Sequence, residues 1–148
     1  MWKKALLIPV VCLALVACGG VDPDSPLGQR QAVFKQMLKT SEHLGGMLRG
    51  RLAFDPTAFA EGSKRLEQLS RQPWQHFPQV KEDMHSQARD EVWQRQARFQ
   101  ELARALEQST ARLLEATTRA PLAAAELAAP LQRVEAACEA CHKEFRAF

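Results

Sequence analysis

The chain has 148 residues, 46% of them hydrophobic and 25% charged, with a formal net charge of +3. That is the size and balance of a single globular domain, and it fits neither a disordered polymer nor a basic nucleic-acid-binding module. No nucleic-acid partner is expected, the less so because removal of Lys3 and Lys4 with a leader lowers the formal charge from +3 to +1.

Lys3 and Lys4 precede an apolar run from Ala5 to Ala17, the charged and hydrophobic parts of a secretory signal. The run is short for a membrane span. It ends in Leu15-Val16-Ala17-Cys18, which looks like a bacterial lipobox, so residues 1–17 read as a leader and Cys18 as the acylated first residue of the mature chain. An ordinary secretory signal cut nearby is the alternative. Acyl chains on Cys18 would anchor the protein to a membrane, each buried methylene contributing about 0.8 kcal/mol. The expected location is the periplasmic side of a bacterial membrane. Residues 18–28, with Gly19 to Gly28 rich in Gly, Pro, Asp and Ser, read as a tether, and the folded domain as residues 29–148.

Helical periodicity dominates the rest. From Leu27 to about Arg51, Val33, Phe34, Met37, Leu38, Leu44 and Leu48 recur at three- and four-residue steps and form a stripe suited to a bundle core. Asp55-Pro56 supplies an N-cap followed by proline at the first helical position, opening a second helix to about Arg71. Pro73, Trp74, Phe77 and Pro78 interrupt the pattern, and the stretch to His85 reads as a loop. A third helix is expected from Ser86 to Thr117, with Val92, Phe99, Leu102, Leu106 and Leu113 facing inward. Pro121 suits the first turn of a fourth, ending near Arg146, with a kink or break at Pro130. The predicted architecture is all-α, an antiparallel four-helix bundle able to hold a cofactor near one end.

The fourth helix carries Cys138-Glu139-Ala140-Cys141-His142, the C-x-x-C-H attachment site of a c-type haem. Two thiols add across the two vinyl groups of one porphyrin, and the adjacent imidazole reaches the iron from one face. On a helix, Cys138, Cys141 and His142 stand at i, i+3 and i+4 and share one side. A zinc site would need a second ligand pair that the chain lacks, and a thiol-disulfide motif would follow a strand. One covalent haem c, with His142 as axial iron ligand, is the reading. Cysteine usage agrees: Cys12 leaves with the leader, Cys18 takes lipid, and Cys138 and Cys141 take haem. Without the porphyrin, the apolar side chains that pack on it would border a void, so the apo-protein is expected to be poorly packed.

A C-x-x-C-H at the end of a helical chain resembles the class II c-type cytochromes, the cytochrome c′ family. Supporting matches are Arg30-Gln31 followed by Met37, Gln72-Pro73-Trp74, Arg89-Asp90-Glu91-Val92-Trp93 and Cys-Glu-Ala-Cys-His-Lys-Glu-Phe-Arg at residues 138–146. They span roughly Gln29 to Arg146. The resemblance implies thioether links from Cys138 and Cys141, and His142 as proximal ligand. It also implies Arg30 and Gln31 near a propionate, and Arg146 near the proximal imidazole. For Arg30 a solvated helix-start residue is an equal reading, and for Arg146 a charge favoured by a helix C-terminus. Relatives often dimerise through their first two helices, so a homodimer is implied by resemblance alone, no second apolar patch standing out beside the core positions.

In the register set by Arg30-Gln31, the family's distal position falls on Phe34, which has no donor atom. This implies five-coordinate iron open to NO or CO. Met37, one turn on, is the competing sixth ligand of a low-spin electron carrier, although core packing is the ordinary role of such a methionine. His43, His76 and His85 read as surface or loop histidines. A haem peroxidase would want a distal His or Arg to polarise the peroxide, and only Arg30 lies near Phe34, so an enzyme is not expected. One-electron exchange with redox partner proteins, with or without gas binding, is the function expected.

Overall fold

The computed structural model describes residues 20–79, 81 and 85–147. The leader and Cys18 lie outside this set. Helix α1 runs Pro26–Leu48, α2 Pro56–Ser70, α3 Glu91–Gln94, α4 Gln96–Ala116 and α5 Ala124–Phe145. A 3-10 turn, Pro73–His76, follows α2. Among the described residues there is no strand, and no helix is long and apolar enough to cross a membrane.

The helix boundaries follow from local chemistry. Ser25 caps α1 by accepting from the Gly28 N–H at 3.0 Å, and Pro26 occupies the first turn, where its missing donor costs nothing. Arg51 N–H bonds Gly46 O at 2.9 Å and Gly50 N–H bonds Met47 O at 3.4 Å, the paired closure of a Schellman motif. Gly50 takes φ 73° there, a conformation that suits glycine, so α1 ends before Arg51. In α2, Asp55 caps the Ala58 N–H at 3.0 Å and Pro56 follows it, as expected.

Helices α1, α2, α4 and α5 pack in a closed ring, α1 against α2 and α5, α4 against α2 and α5. The chain order makes neighbours antiparallel. Arg49, at the end of α1, pairs with Glu135 midway along α5, and Arg98, at the start of α4, reaches Glu144 at the end of α5. The core contains Val33, Met37, Leu44, Phe59, Leu66, Leu106, Leu113, Leu127, Leu131 and Val134. A second cluster, Val92, Phe99, Leu102 and Phe145, closes the end where α1 and α4 begin and α5 finishes. Phe59 is completely buried and packs on Phe54, ring centroids 5.8 Å apart. Phe59→Ala is expected to cost about 3–5 kcal/mol of stability, read from denaturant unfolding of the haem-loaded protein. A loss below ~1 kcal/mol would show that the site collapses around the gap.

Four expectations change. The third helix does not run unbroken from Ser86. Residues 87–89 instead spend their backbone groups on the end of α5: Arg89 N–H bonds Phe145 O at 2.9 Å, and Ala147 N–H bonds Gln87 O at 2.8 Å. A second break falls at Arg95 (φ −121°, ψ 49°), whose guanidinium lies over Phe145, 5.8 Å from the ring centroid, and pairs with Glu144. Pro121 precedes the fourth long helix rather than opening it, because Ala123 is extended and Leu122 turns onto the core. Pro130 does not break α5, since it sits early in the helix and forfeits only the bond to the Glu126 carbonyl. Leu38 is 60% exposed, one step off the buried line through Arg30, Val33, Met37 and Leu44.

The domain also begins earlier than expected. Gly28, read as the end of the tether, lies in the first turn of α1, and the chain before it folds back onto that turn.

Candidate functional site

Cys138, Cys141 and His142 lie within the last two turns of α5. Both thiols are half-buried. Cys138 packs against the main core cluster, together with Phe34 and Trp74, and Cys141 packs against the end cluster, together with Trp74, Phe77 and Trp93. Trp74 thus joins the two clusters. Burial, reinforced by Glu135, pushes the Cys138 thiol up to about 11; burial, with Cys138 and Glu144, does the same to Cys141. Both shifts favour the neutral thiol in the folded chain.

His142 is an exposed residue, but packing around its ring and then the Arg146 charge hold it below its ordinary value. Both favour the neutral imidazole, the form that binds a metal. Arg146 also donates from its backbone to His142 O at 3.0 Å and from its guanidinium to Gln87 Oε1 at 2.9 and 3.1 Å. These bonds stitch the last turn of α5 to the loop before α3. Glu144 adds a second fastening. It accepts from Arg98 at 2.7 Å and from Arg95 at 3.1 Å, and the Arg98 bonds hold its carboxyl below the usual value.

On the facing helix, Arg30 is only 3% exposed, which rules out the solvated reading. Its guanidinium donates to His76 O at 2.9 Å and Ser86 Oγ at 3.1 Å and lies 4.7 Å from the centre of the Phe77 ring. Arg30 therefore ties α1 to the loop and fixes the helix register. Gln31 is exposed. Phe34, one turn up from Arg30, is half-buried and meets Trp74 and Phe77 edge-on at 6.0 and 6.5 Å. Met37 lies in the core at 5% exposure. His43 and His85 are exposed, and His76 is partly exposed beside Gln75.

The rings continue around the site. Phe99 packs edge-on against Trp74 at 5.8 Å, Phe77 at 4.9 Å and Phe145 at 5.3 Å. In the sequence Trp74 stands only as a break in the helical pattern and as part of a short motif, and nothing there joins it to these aromatics. The signal was present in Gln72-Pro73-Trp74, but the partners come from α1, α4 and α5 and need the fold.

The residues fit a haem. Two thiols and an imidazole share one side of α5, next to an aromatic cluster that would flank a flat apolar ring. Trp74 Nε1 is buried with no hydrogen-bond acceptor. An unmatched buried donor costs about 1–3 kcal/mol, and a porphyrin carboxylate is an acceptor that would relieve it. Among the described residues no three His, Cys, Asp or Glu side chains gather into a metal cluster. Two thiols and one imidazole on a single helix beside these rings are a donor set that suits iron carried in a porphyrin.

An antiparallel four-helix bundle with C-x-x-C-H on its last helix defines a class of c-type haem proteins. The Cytochrome C′ family model matches residues 25–146, so the chain belongs to the cytochrome c′ family, whose cofactor is covalently attached haem c. Among solved structures, cytochrome c′ from Shewanella frigidimarina is 22% identical, with a TM-score of 0.79 over 88% of this chain and 100% of the other. The nitric oxide complex of a mutant cytochrome c′ from Alcaligenes xylosoxidans is 24% identical, with a TM-score of 0.77 over 88% and 99%. A carbon monoxide-bound variant from the same organism is also 24% identical, at 0.77 over 88% and 100%. At these identities the structures establish a shared fold. No curated protein matches the chain.

Proposed function

We propose that this protein is a periplasmic, lipid-anchored haem c protein that exchanges single electrons with redox partners and leaves one face of its iron open to NO or CO. The observation that carries the reading is Phe34, a residue without a donor atom, in the same packed cluster as Cys138 and fixed by Trp74 and Phe77. Bound at this site, haem supplies an iron that changes oxidation state and can take a small axial ligand.

The chain's own residues do the rest. Cys138 and Cys141 would hold the porphyrin edge to α5, and His142, whose packing and Arg146 neighbour favour the neutral ring, would present a ring nitrogen to the metal. The Glu144 and Arg146 fastenings hold that last turn still, which limits reorganisation when charge is gained or lost. Arg30 and Gln31 serve the propionate side. The Phe34 ring restricts entry on the opposite face, and its apolar surface disfavours bound dioxygen, which wants a hydrogen-bond donor, more than NO or CO. NO- and CO-bound relatives of the same fold support this ligand class.

Met37 as a sixth ligand is the competing reading. It would require α1 to slide or unwind, breaking the Arg30 bonds to His76 O and Ser86 Oγ and emptying a core position. A peroxidase role lacks a distal acid or base, since Arg30 is already bonded into the loop, and we assign no catalytic residue. Exposed Leu38 on α1 is the side chain that a homodimer through the first two helices would cover.

Phe34→Ala tests the distal role by flash photolysis of the CO-loaded ferrous protein. CO association is expected to speed up about tenfold, the effect of a barrier lowered by ~1.4 kcal/mol. Unchanged kinetics would remove Phe34 from the ligand path.

A further inference from the structure

Residues 22–25, immediately before α1, are folded back against the helix. Ser25 Oγ donates to Asp22 O at 2.6 Å, Ser25 N–H bonds the same oxygen at 3.1 Å, and Gln29 Nε2 donates to Asp24 O at 3.0 Å. A Cβ on Gly28 would stand 2.1 Å from Asp22 O, so the glycine lets this turn lie directly on α1. The chain is therefore fastened to the bundle from Asp22 onward. Only four steps separate Asp22 from Cys18, and a fully extended chain covers at most about 3.5 Å per step, or ~14 Å in all.

This fastening sits at one particular end. Leu27 and Arg30 lie beside it, Arg30 reaches the His76 and Ser86 segment, and the end of α5 is stitched to residues 87–89 at the same end. The opposite end, where α4 finishes at Ala116, lies a helix length away, about 30 Å at 1.5 Å per residue. It carries a cleft lined by Arg112, Arg119 and Arg133.

We infer that the haem end of the bundle is held at the lipid surface by a leash too short to let it leave, while the Arg112, Arg119 and Arg133 end stands away in solution. The inference rests on acylation of Cys18. Its consequence is that electrons and small ligands reach the haem end at the membrane surface, and that the protein is not a freely roaming carrier. The occupant of this face is the lipid surface that holds the chain's own acyl groups.

The test uses the full, haem-loaded, acylated protein bound to vesicles containing nickel-chelating headgroup lipids. A nitroxide is placed on Gln75→Cys at the haem end or on Arg119→Cys at the far end, and zinc-loaded vesicles remove the background from the haem iron. Nickel-dependent relaxation is expected to be several-fold greater for the Gln75 label. Equal relaxation, or more at Arg119, would overturn the inference. A flexible insert of about 20 Gly and Ser residues before Asp22, adding roughly 25 Å of mean reach, should at least halve the relaxation at Gln75. No change with the insert would show that the leash is not what orients the protein. Mass spectrometry of the N-terminal peptide separates the two failures. An unacylated Cys18 overturns the lipid reading and the orientation with it; an acylated Cys18 with the wrong label pattern overturns the orientation alone.

Discussion

Replacing Cys138 and Cys141 together by serine is expected to abolish covalent haem attachment. The intact mass should be that of the polypeptide alone, and acidified solvent should extract any haem held only by His142. These thiols lie against both apolar clusters of the bundle, so the loss reaches beyond the linkage. Phe34, Trp74, Phe77 and Phe99 would lose the flat apolar body they flank, and Trp74 Nε1 would keep its unmet hydrogen bond. A ligand held at a thousand times its dissociation constant stabilises a fold by about 4.1 kcal/mol, and the haem-free variant is expected to lose at least that much. A double serine variant that unfolds at the temperature of the native protein would contradict the account of the site.

Phe34→Met is the second large change. The side chain stands one turn from Arg30, on a helix whose register is fixed by the Arg30 bonds to His76 O and Ser86 Oγ. A thioether there would supply the donor that phenylalanine lacks. The ferric spectrum is expected to become low-spin, the reduction potential to rise as it does for methionine-histidine ligation, and CO binding to fall sharply. Met37→Leu is the control. It conserves volume in the core and should leave spectrum and potential unchanged, at a stability cost of less than about 1.5 kcal/mol. An unaltered spectrum in Phe34→Met would mean that position 34 does not face the iron.

Local signals in the sequence carried the helices well. The Asp55-Pro56 punctuation and the inward stripe from Val92 to Leu113 each act within one or two turns, and the structure caps and buries them as expected; Ser25 and Gly50, which bound α1, are equally local signals that went unread. C-x-x-C-H is equally local, which made the attachment residues legible. What escaped the sequence depends on partners far along the chain. Residues 87–89 have helical neighbours, but they pair with residues 145–147 and leave the helix. Arg30 read as either a solvated or a site residue; its burial depends on a carbonyl and a hydroxyl 46 and 56 residues away. Leu38 fits a helical stripe as well as Met37 does, and only the placement of α2 and α5 decides which of them is covered. Gly28 looked like linker composition, yet its missing side chain is what lets the preceding turn dock on α1.

The central proposal is that bound haem iron would be five-coordinate, with Phe34 and not Met37 on its distal side. Electron paramagnetic resonance of the ferric protein, with optical spectra of the ferric and ferrous forms, tests it directly. High-spin iron without a sulfur ligand is the predicted result. A low-spin, methionine-ligated spectrum that disappears in Met37→Leu would contradict it.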